Sequence, residues 1–128
     1  MDIADEAEGG VIGDYKDLAA WQVAMSVCED VYAITQKLPD CERYGLISQM
    51  QRAAVSIPAN IAEGYGRGSR ADYCRFVRMA RGSAAELETE LLLAQRLGLL
   101  EPADVMNVLR HLARARRLIH GLVRSLED

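Results

Sequence analysis

Aromatic residues other than tyrosine are almost missing from this 128-residue chain, which holds one Phe and one Trp. A core made without them must come from Leu, Ile, Val, Ala and Met, aliphatic residues that suit packed helices better than sheets. Cysteine is sparse too. Cys28, Cys41 and Cys74 are odd in number and form no CxxC pair, which argues against a disulfide framework and for free thiols in a reducing cytosol. No apolar run approaches the length of a membrane span, and the first residues are acidic where a signal peptide would be basic. The expected location is therefore cytoplasmic, with no membrane partner.

The residues that carry common chemistries are also few. The only histidines are His111 and His120, and a spacing of nine projects them from opposite sides of a helix, so they cannot share one ion within one chain. No glutamate has a histidine three residues on, so the Glu-x-x-His pattern of di-iron bundles is missing. Ser56, Ser69 and Ser83 have no histidine nearby in sequence to serve as a base. The run Gly64-Tyr65-Gly66-Arg67-Gly68 follows a helical segment rather than a strand, so it lacks the dinucleotide-binding context. No catalytic residue, metal site or cofactor is expected, and the chain reads as a non-enzyme.

What remains is mostly helix. Residues 1–13, acidic and carrying Gly9, Gly10 and Gly13, read as a flexible leader, and residues 14–128 as one domain. The first helical segment, from about Asp17 to Lys37, carries two adjacent apolar seams: Leu18, Trp21, Met25, Cys28, Tyr32, and Ala20, Ala24, Val27, Val31, Ile34, Leu38. Together they cover more of the helix than one core needs. The second segment, about Tyr44 to Glu63, turns Ile47, Met50, Ala54, Ile57 and Ile61 inward, and Pro58 within it should produce a kink. The glycines at 64, 66 and 68 read as its breaker.

Ser69, with Asp72 three residues on, predicts the start of a third helix that ends near Leu97 before Gly98. The fourth opens on Pro102 and repeats Val105, Val108, Leu112, Ala115, Ile119, Leu122, Leu126. Short connections force neighbouring helices to run antiparallel, so the predicted fold class is all-α, an up-down-up-down four-helix bundle.

The net charge of −4 conceals an uneven distribution. Residues 1–14 hold five acids and no base, and ten of the 15 bases fall in two stretches, Arg67 to Arg81 and Arg110 to Arg124. Lysine is confined to Lys16 and Lys37, and arginine is the better bidentate ligand for phosphate. Arg110, Arg114, Arg117 and Arg124 occupy one arc opposite the core seam of the fourth helix, while Arg75 and Arg78 point away from the core of the third. These are candidate nucleic-acid contacts, although the same charges would also serve to solvate a helix face. Arg67, Arg70 and the free N–H groups at the start of the third helix add a candidate anion site.

Two further features point outward. A polar stripe on the second helix, Gln49, Arg52, Ser56, Asn60 and Glu63, suits hydrogen bonding to a neighbouring helix or subunit, or a pocket. The small face of the third helix, with Gly82, Ala85 and Thr89 flanked by Leu92 and Leu93, allows close approach of another backbone. With Val27, Val31 and Ile34 from the surplus seam of the first helix, it forms the candidate oligomer interface.

The blocks Tyr44-Gly45-Leu46-Ile47-Ser48-Gln49-Met50-Gln51-Arg52-Ala53-Ala54, Ser56-Ile57-Pro58-Ala59-Asn60-Ile61-Ala62-Glu63-Gly64 and Ala80-Arg81-Gly82-Ser83-Ala84-Ala85-Glu86-Leu87-Glu88, with Asp17-Leu18-Ala19-Ala20-Trp21, carry a resemblance. Over about residues 14–125 the chain closely resembles the bacterial four-helix-bundle proteins encoded within intervening sequences of 23S rRNA genes. The resemblance implies a small antiparallel bundle assembling into a ring-like homopentamer with no known catalytic activity. That family is similar in fold to the accessory variability proteins of diversity-generating retroelements, pentameric barrels that bind a reverse transcriptase and nucleic acid through basic surfaces. The leading expectation is an oligomeric bundle that binds structured RNA or an RNA-containing complex. The alternatives are a protein-binding accessory subunit of a reverse transcriptase and an enzyme with its site between subunits.

Overall fold

Pro102 opens the last helix and Gly98, at φ +74°, closes the one before it, so the turn between them has little freedom. The computed structural model describes residues 13–127; all of the expected leader except Gly13 lies outside the described residues. Four long helices carry the fold: α1 (Ala19–Thr35), α2 (Ser48–Gly66), α3 (Arg70–Arg96) and α4 (Pro102–Glu127). No strand occurs among the described residues. α1 packs on α2 and α4, and α3 packs on the same two, which closes a four-helix bundle.

Local chemistry explains the boundaries. Asp14 accepts from the Lys16 N–H at 2.7 Å and starts a single 3-10 turn, Tyr15–Asp17, ahead of α1. Pro39 takes an extended conformation beyond the end of α1. Ser69 caps α3 by accepting from the Asp72 N–H at 3.1 Å, as its sequence position predicts.

The ends of α2 differ from expectation. The helix proper begins at Ser48, because a π-helical turn over Arg43–Ile47 precedes it, with Gly45 at φ −109°, ψ −113°. The Glu42 carboxylate accepts from the Leu46 N–H across that turn at 3.1 Å. At the other end α2 runs through Gly64 to Gly66, so Gly64 is not a breaker. It is buried, and a Cβ there would lie 2.8 Å from Phe76 Cβ and 3.2 Å from the Tyr73 carbonyl oxygen. Gly64 therefore permits the close approach of α3 to α2.

The core is aliphatic. Met50, Ala54, Ile57 and Ile61 of α2, Val77, Ala84, Leu87 and Leu91 of α3, and Val105, Ala115 and Ile119 of α4 are fully buried. Ile47, predicted to face the core, is only partly buried at its edge. Of the two seams of α1, the one through Ala20, Ala24, Val27, Val31 and Ile34 lies inside, whereas Met25 and Tyr32 of the other are exposed.

Candidate nucleic-acid interface

The inward seam of α4 repeats every three to four residues, so the residues half a turn away must face solvent. Arg110, Arg114, Arg117 and Arg124 do so. From Arg110 to Arg124 the helix rises about 21 Å at 1.5 Å per residue. Arg110 donates to the neutral Asn107 side chain at 2.9 Å. The guanidinium groups of Arg114, Arg117 and Arg124 have no hydrogen bond or ion pair among the described residues. Arg116, one position round the helix, is different: it donates to Glu88 on α3 at 2.8 Å and ties the two helices together.

The arginines at the start of α3 are engaged elsewhere. Arg70 donates to the carbonyl of Leu126 at 3.1 Å and to that of Ser125 at 2.8 Å, capping the last turn of α4. Arg78 donates to Glu127 at 2.7 Å. That hydrogen bond is the main cause holding the Glu127 carboxyl below its ordinary range, with the charges of Arg78, Arg81 and His120 adding to it. The same bond raises the Arg78 guanidinium.

Arg75 pairs with Asp72 at 3.5 Å and Arg67 with Glu63 at 3.3 Å, and both guanidinium groups stack on Phe76, 4.4 and 4.9 Å from its ring centre. The expected anion site of Arg67 and Arg70 is thus not assembled. Nor do Arg75 and Arg78 extend a free stripe, because each has a carboxylate beside it.

The candidate oligomer residues also divide. Val27, Val31 and Ile34 are buried in this chain's own core, which corrects their assignment to an interface between copies. Gly82, Ala85, Thr89, Leu92 and Leu93 do face outward on α3, with open space where a Gly82 Cβ would stand. The large exposed apolar residues of α1 are Met25 and Tyr32.

Two clefts flank the polar stripe of α2. One, between α1 and α2, is a groove of about 770 Å³ with Tyr32, Arg43, Tyr44 and Arg52 among its walls. The other, beside α3, is lined by Gln49, Arg52, Ser56 and Glu86. The stripe bonds mainly to its own helix: Ser56 donates to the Ala53 carbonyl and Asn60 to that of Ser56.

Glu90, one helical turn beyond Glu86, is a buried carboxyl whose Oε1 has no hydrogen-bond partner among the described residues. Burial chiefly, then the neighbouring Glu86, pushes Glu90 up to about 7. Sequence reasoning missed Glu90, although its place between the inner residues Leu87 and Leu91 was a signal. Among the described residues no three His, Cys, Asp or Glu side chains gather as metal ligands, and no helix is long and apolar enough to cross a membrane.

No functionally curated protein matches the chain. A crystal structure from Bacteroides thetaiotaomicron, of a protein with unknown function from the S23 ribosomal protein family, superposes with a TM-score of 0.77. The two sequences are 20% identical, and the match covers 83% of this chain and 99% of that one. At this identity the likeness establishes the fold. The family itself is established by the sequence: with residues 16–121 matching, the chain belongs to the 23S rRNA-intervening sequence protein family.

Proposed function

We propose that the protein is a non-catalytic, oligomeric bundle that holds structured RNA, or an RNA-containing complex, against the outer face of α4. The observation that carries this reading is the row Arg110, Arg114, Arg117 and Arg124, in which three guanidinium groups have no partner among the described residues. Fixed cations that neutralise no acid of their own are available to phosphate, and arginine engages phosphate through two parallel hydrogen bonds. The arginines that do have partners, Arg70, Arg78 and Arg116, brace the helix that presents the row. In keeping with a binding role, three nucleophilic side chains are engaged in structural contacts. Burial, with the charge of Glu29, pushes the Cys28 thiol up to about 11, and the Ser56 and Thr89 hydroxyls donate to carbonyls of their own helices.

The proposed topology is up-down-up-down. In support, Lys37 just beyond α1 pairs with Asp104 in the first turn of α4 at 2.9 Å, and Arg70 at the start of α3 reaches the end of α4. The proposed assembly is a ring of five, as the family resemblance implies, joined through the outward face of Gly82, Ala85, Thr89, Leu92 and Leu93. A ring would repeat the α4 row and turn a modest local charge into a multivalent field. The proposed compartment is the cytoplasm, in keeping with three free thiols.

The test titrates labelled RNA hairpin and duplex against the protein at several salt concentrations. Replacing Arg110, Arg114 and Arg117 with Gln should weaken binding and lower the salt-dependence slope by roughly 0.7–0.9 for each phosphate no longer neutralised. Curves that superpose on the wild type's would assign the row to solvation. Light scattering on the same samples should give about five times the 14.1 kDa chain mass, and a monomer would remove the ring.

A further inference from the structure

Tyr44 is 90% exposed, although it stands on an ordered turn at the edge of the bundle. The π-helical turn over Arg43–Ile47, opened at Gly45, ends before the regular spiral of α2 begins, so Tyr44 is not drawn into the core. Nearly the whole ring is in water, and the fold gains little packing from it. Tyr32, 46% exposed on α1, lines the same groove.

The charge of this groove is of one sign. Arg43 and Arg52 line it, no Asp or Glu does, and neither guanidinium has a hydrogen bond or ion pair among the described residues, although Arg52 also borders the cleft that Glu86 lines. Glu42, the nearest acid in sequence, directs its carboxylate to the Leu46 N–H. The floor also offers a fixed hydrogen-bonding group. Gln51 donates through Nε2 to the buried Thr35 hydroxyl at 3.2 Å, and that hydroxyl donates to the Tyr32 carbonyl at 3.1 Å. The chain of bonds orients the Gln51 amide and leaves its carbonyl oxygen free to accept.

We infer that the groove between α1 and α2 is a binding site for an unpaired nucleotide of an RNA strand. The base stacks on Tyr44, Arg43 and Arg52 engage the flanking phosphates, and the Gln51 carbonyl accepts from an exocyclic amino group. Each element matches a requirement of single-strand recognition: an aromatic face for a base, unopposed cations for the backbone, and an oriented polar group for the base edge. The positive, acid-free lining complements a polyanion. The inference rests on the RNA-binding reading above and adds to it a second contact of a different kind. The α4 row meets backbone phosphate in any RNA, whereas this groove selects strands that carry an unstacked base.

The experiment uses an RNA hairpin with 2-aminopurine in its loop, the same hairpin with the probe in its stem, and a loopless duplex of equal length. Wild-type protein should quench the loop probe and not the stem probe, and should bind the hairpin more tightly than the duplex. Tyr44→Leu should abolish the loop quench and weaken hairpin binding about tenfold while leaving the salt slope unchanged. Tyr44→Phe should retain both the quench and the affinity. Arg43→Gln should lower the slope by about 0.7. Because the Tyr44 side chain is exposed, its loss leaves the core intact.

Equal affinity for hairpin and duplex, or a Tyr44→Leu variant that binds and quenches as the wild type does, overturns the groove assignment. If duplex binding still depends on the α4 arginines in that case, the RNA-binding reading stands alone. A protein that binds none of the three RNAs overturns both. A Tyr44→Leu variant with altered oligomeric mass and unaltered RNA affinity assigns the groove to a contact between copies and overturns the nucleotide site.

Discussion

Cys28 on α1 donates its thiol hydrogen to the carbonyl of Ala54 on α2 across 3.1 Å, and Ala54 stands four residues before Pro58. Proline has no N–H, so the carbonyl four residues earlier loses its helical partner. The thiol of the neighbouring helix fills that vacancy. α2 continues as one helix from Ser48 to Gly66 with Pro58 buried inside it, and the non-helical backbone lies instead at Gly45.

This contact predicts an inert thiol. Cys28 must keep its proton to donate, and burial, followed by the charge of Glu29, pushes it up to about 11. At neutral pH a maleimide should label exposed Cys41 and spare Cys28 and Cys74. Labelling of Cys28 should rise only in strongly alkaline solution. Mass spectrometry of the folded protein reads this directly, and equal labelling of Cys28 and Cys41 at pH 7 would refute it. Cys28→Ala, which leaves the Ala54 carbonyl without a donor, should cost about 1 kcal/mol, while Cys28→Ser should cost less.

Two glycines in helices should respond in opposite ways to alanine. At Gly64 the new Cβ would meet Phe76 Cβ at 2.8 Å and the Tyr73 carbonyl at 3.2 Å, neither the end of a flexible side chain. Gly64→Ala should therefore destabilise the fold by about 1–3 kcal/mol. At Gly121, exposed on α4, the Cβ would meet open space, and the gain in helix propensity should add up to about 1 kcal/mol. Thermal melts of both variants test the pair; a stabilised Gly64→Ala would mean that α3 does not approach α2 as described.

Much of the bundle was legible because the seam of α4 repeats at one period and admits one inward face. α1 was not, since its two adjacent seams fit a core equally well and only the neighbouring helices decide between them. Hence Val27, Val31 and Ile34 fit an outward face by sequence and are internal in the fold. The contacts of Arg70 and Arg78 are hidden from the sequence for a related reason. Their partners, Leu126, Ser125 and Glu127, lie 49 to 56 residues away, and no local pattern reports a contact at that separation. Gly64 showed as a turn signal, but a glycine that breaks a helix and one that admits a neighbour read the same in sequence. Tyr44 was legible only as part of a family block; its exposure depends on the backbone at Gly45.

Glu90 should make the protein less stable as pH rises from the carboxylate range to neutrality. Its folded-state carboxyl is raised from an ordinary 4.5 to about 7, mainly by burial. Between those values the folded state holds a proton that the unfolded state has released, so stability falls with rising pH across that window and levels off above it. The loss amounts to at most about 3 kcal/mol. Glu90→Gln, which keeps the shape without the charge, should flatten the dependence and stabilise the protein at pH 8. Denaturant melts at pH 5 and pH 8 measure it, and a wild type that is more stable at pH 8 would contradict the assignment.

The last turn of α4 separates bracing arginines from those proposed to bind phosphate. Arg70 holds two terminal carbonyls and Arg78 holds Glu127, so both act on the helix end rather than on solvent. Arg70→Gln removes the charge at the negative pole of α4 and should cost about 1 kcal/mol. Amide exchange should quicken over residues 122–127 in that variant and in Arg78→Gln. Because the Glu127 carboxyl is depressed by its bond to Arg78, this clasp is present at neutral pH. It is lost as pH falls through and below the ordinary carboxylate range, the opposite sense to Glu90. Neither variant should lower the salt slope of RNA binding, whereas Arg114→Gln and Arg117→Gln should lower it without changing amide exchange. A slope that drops in Arg70→Gln with exchange unaltered would return that side chain to the phosphate-facing surface.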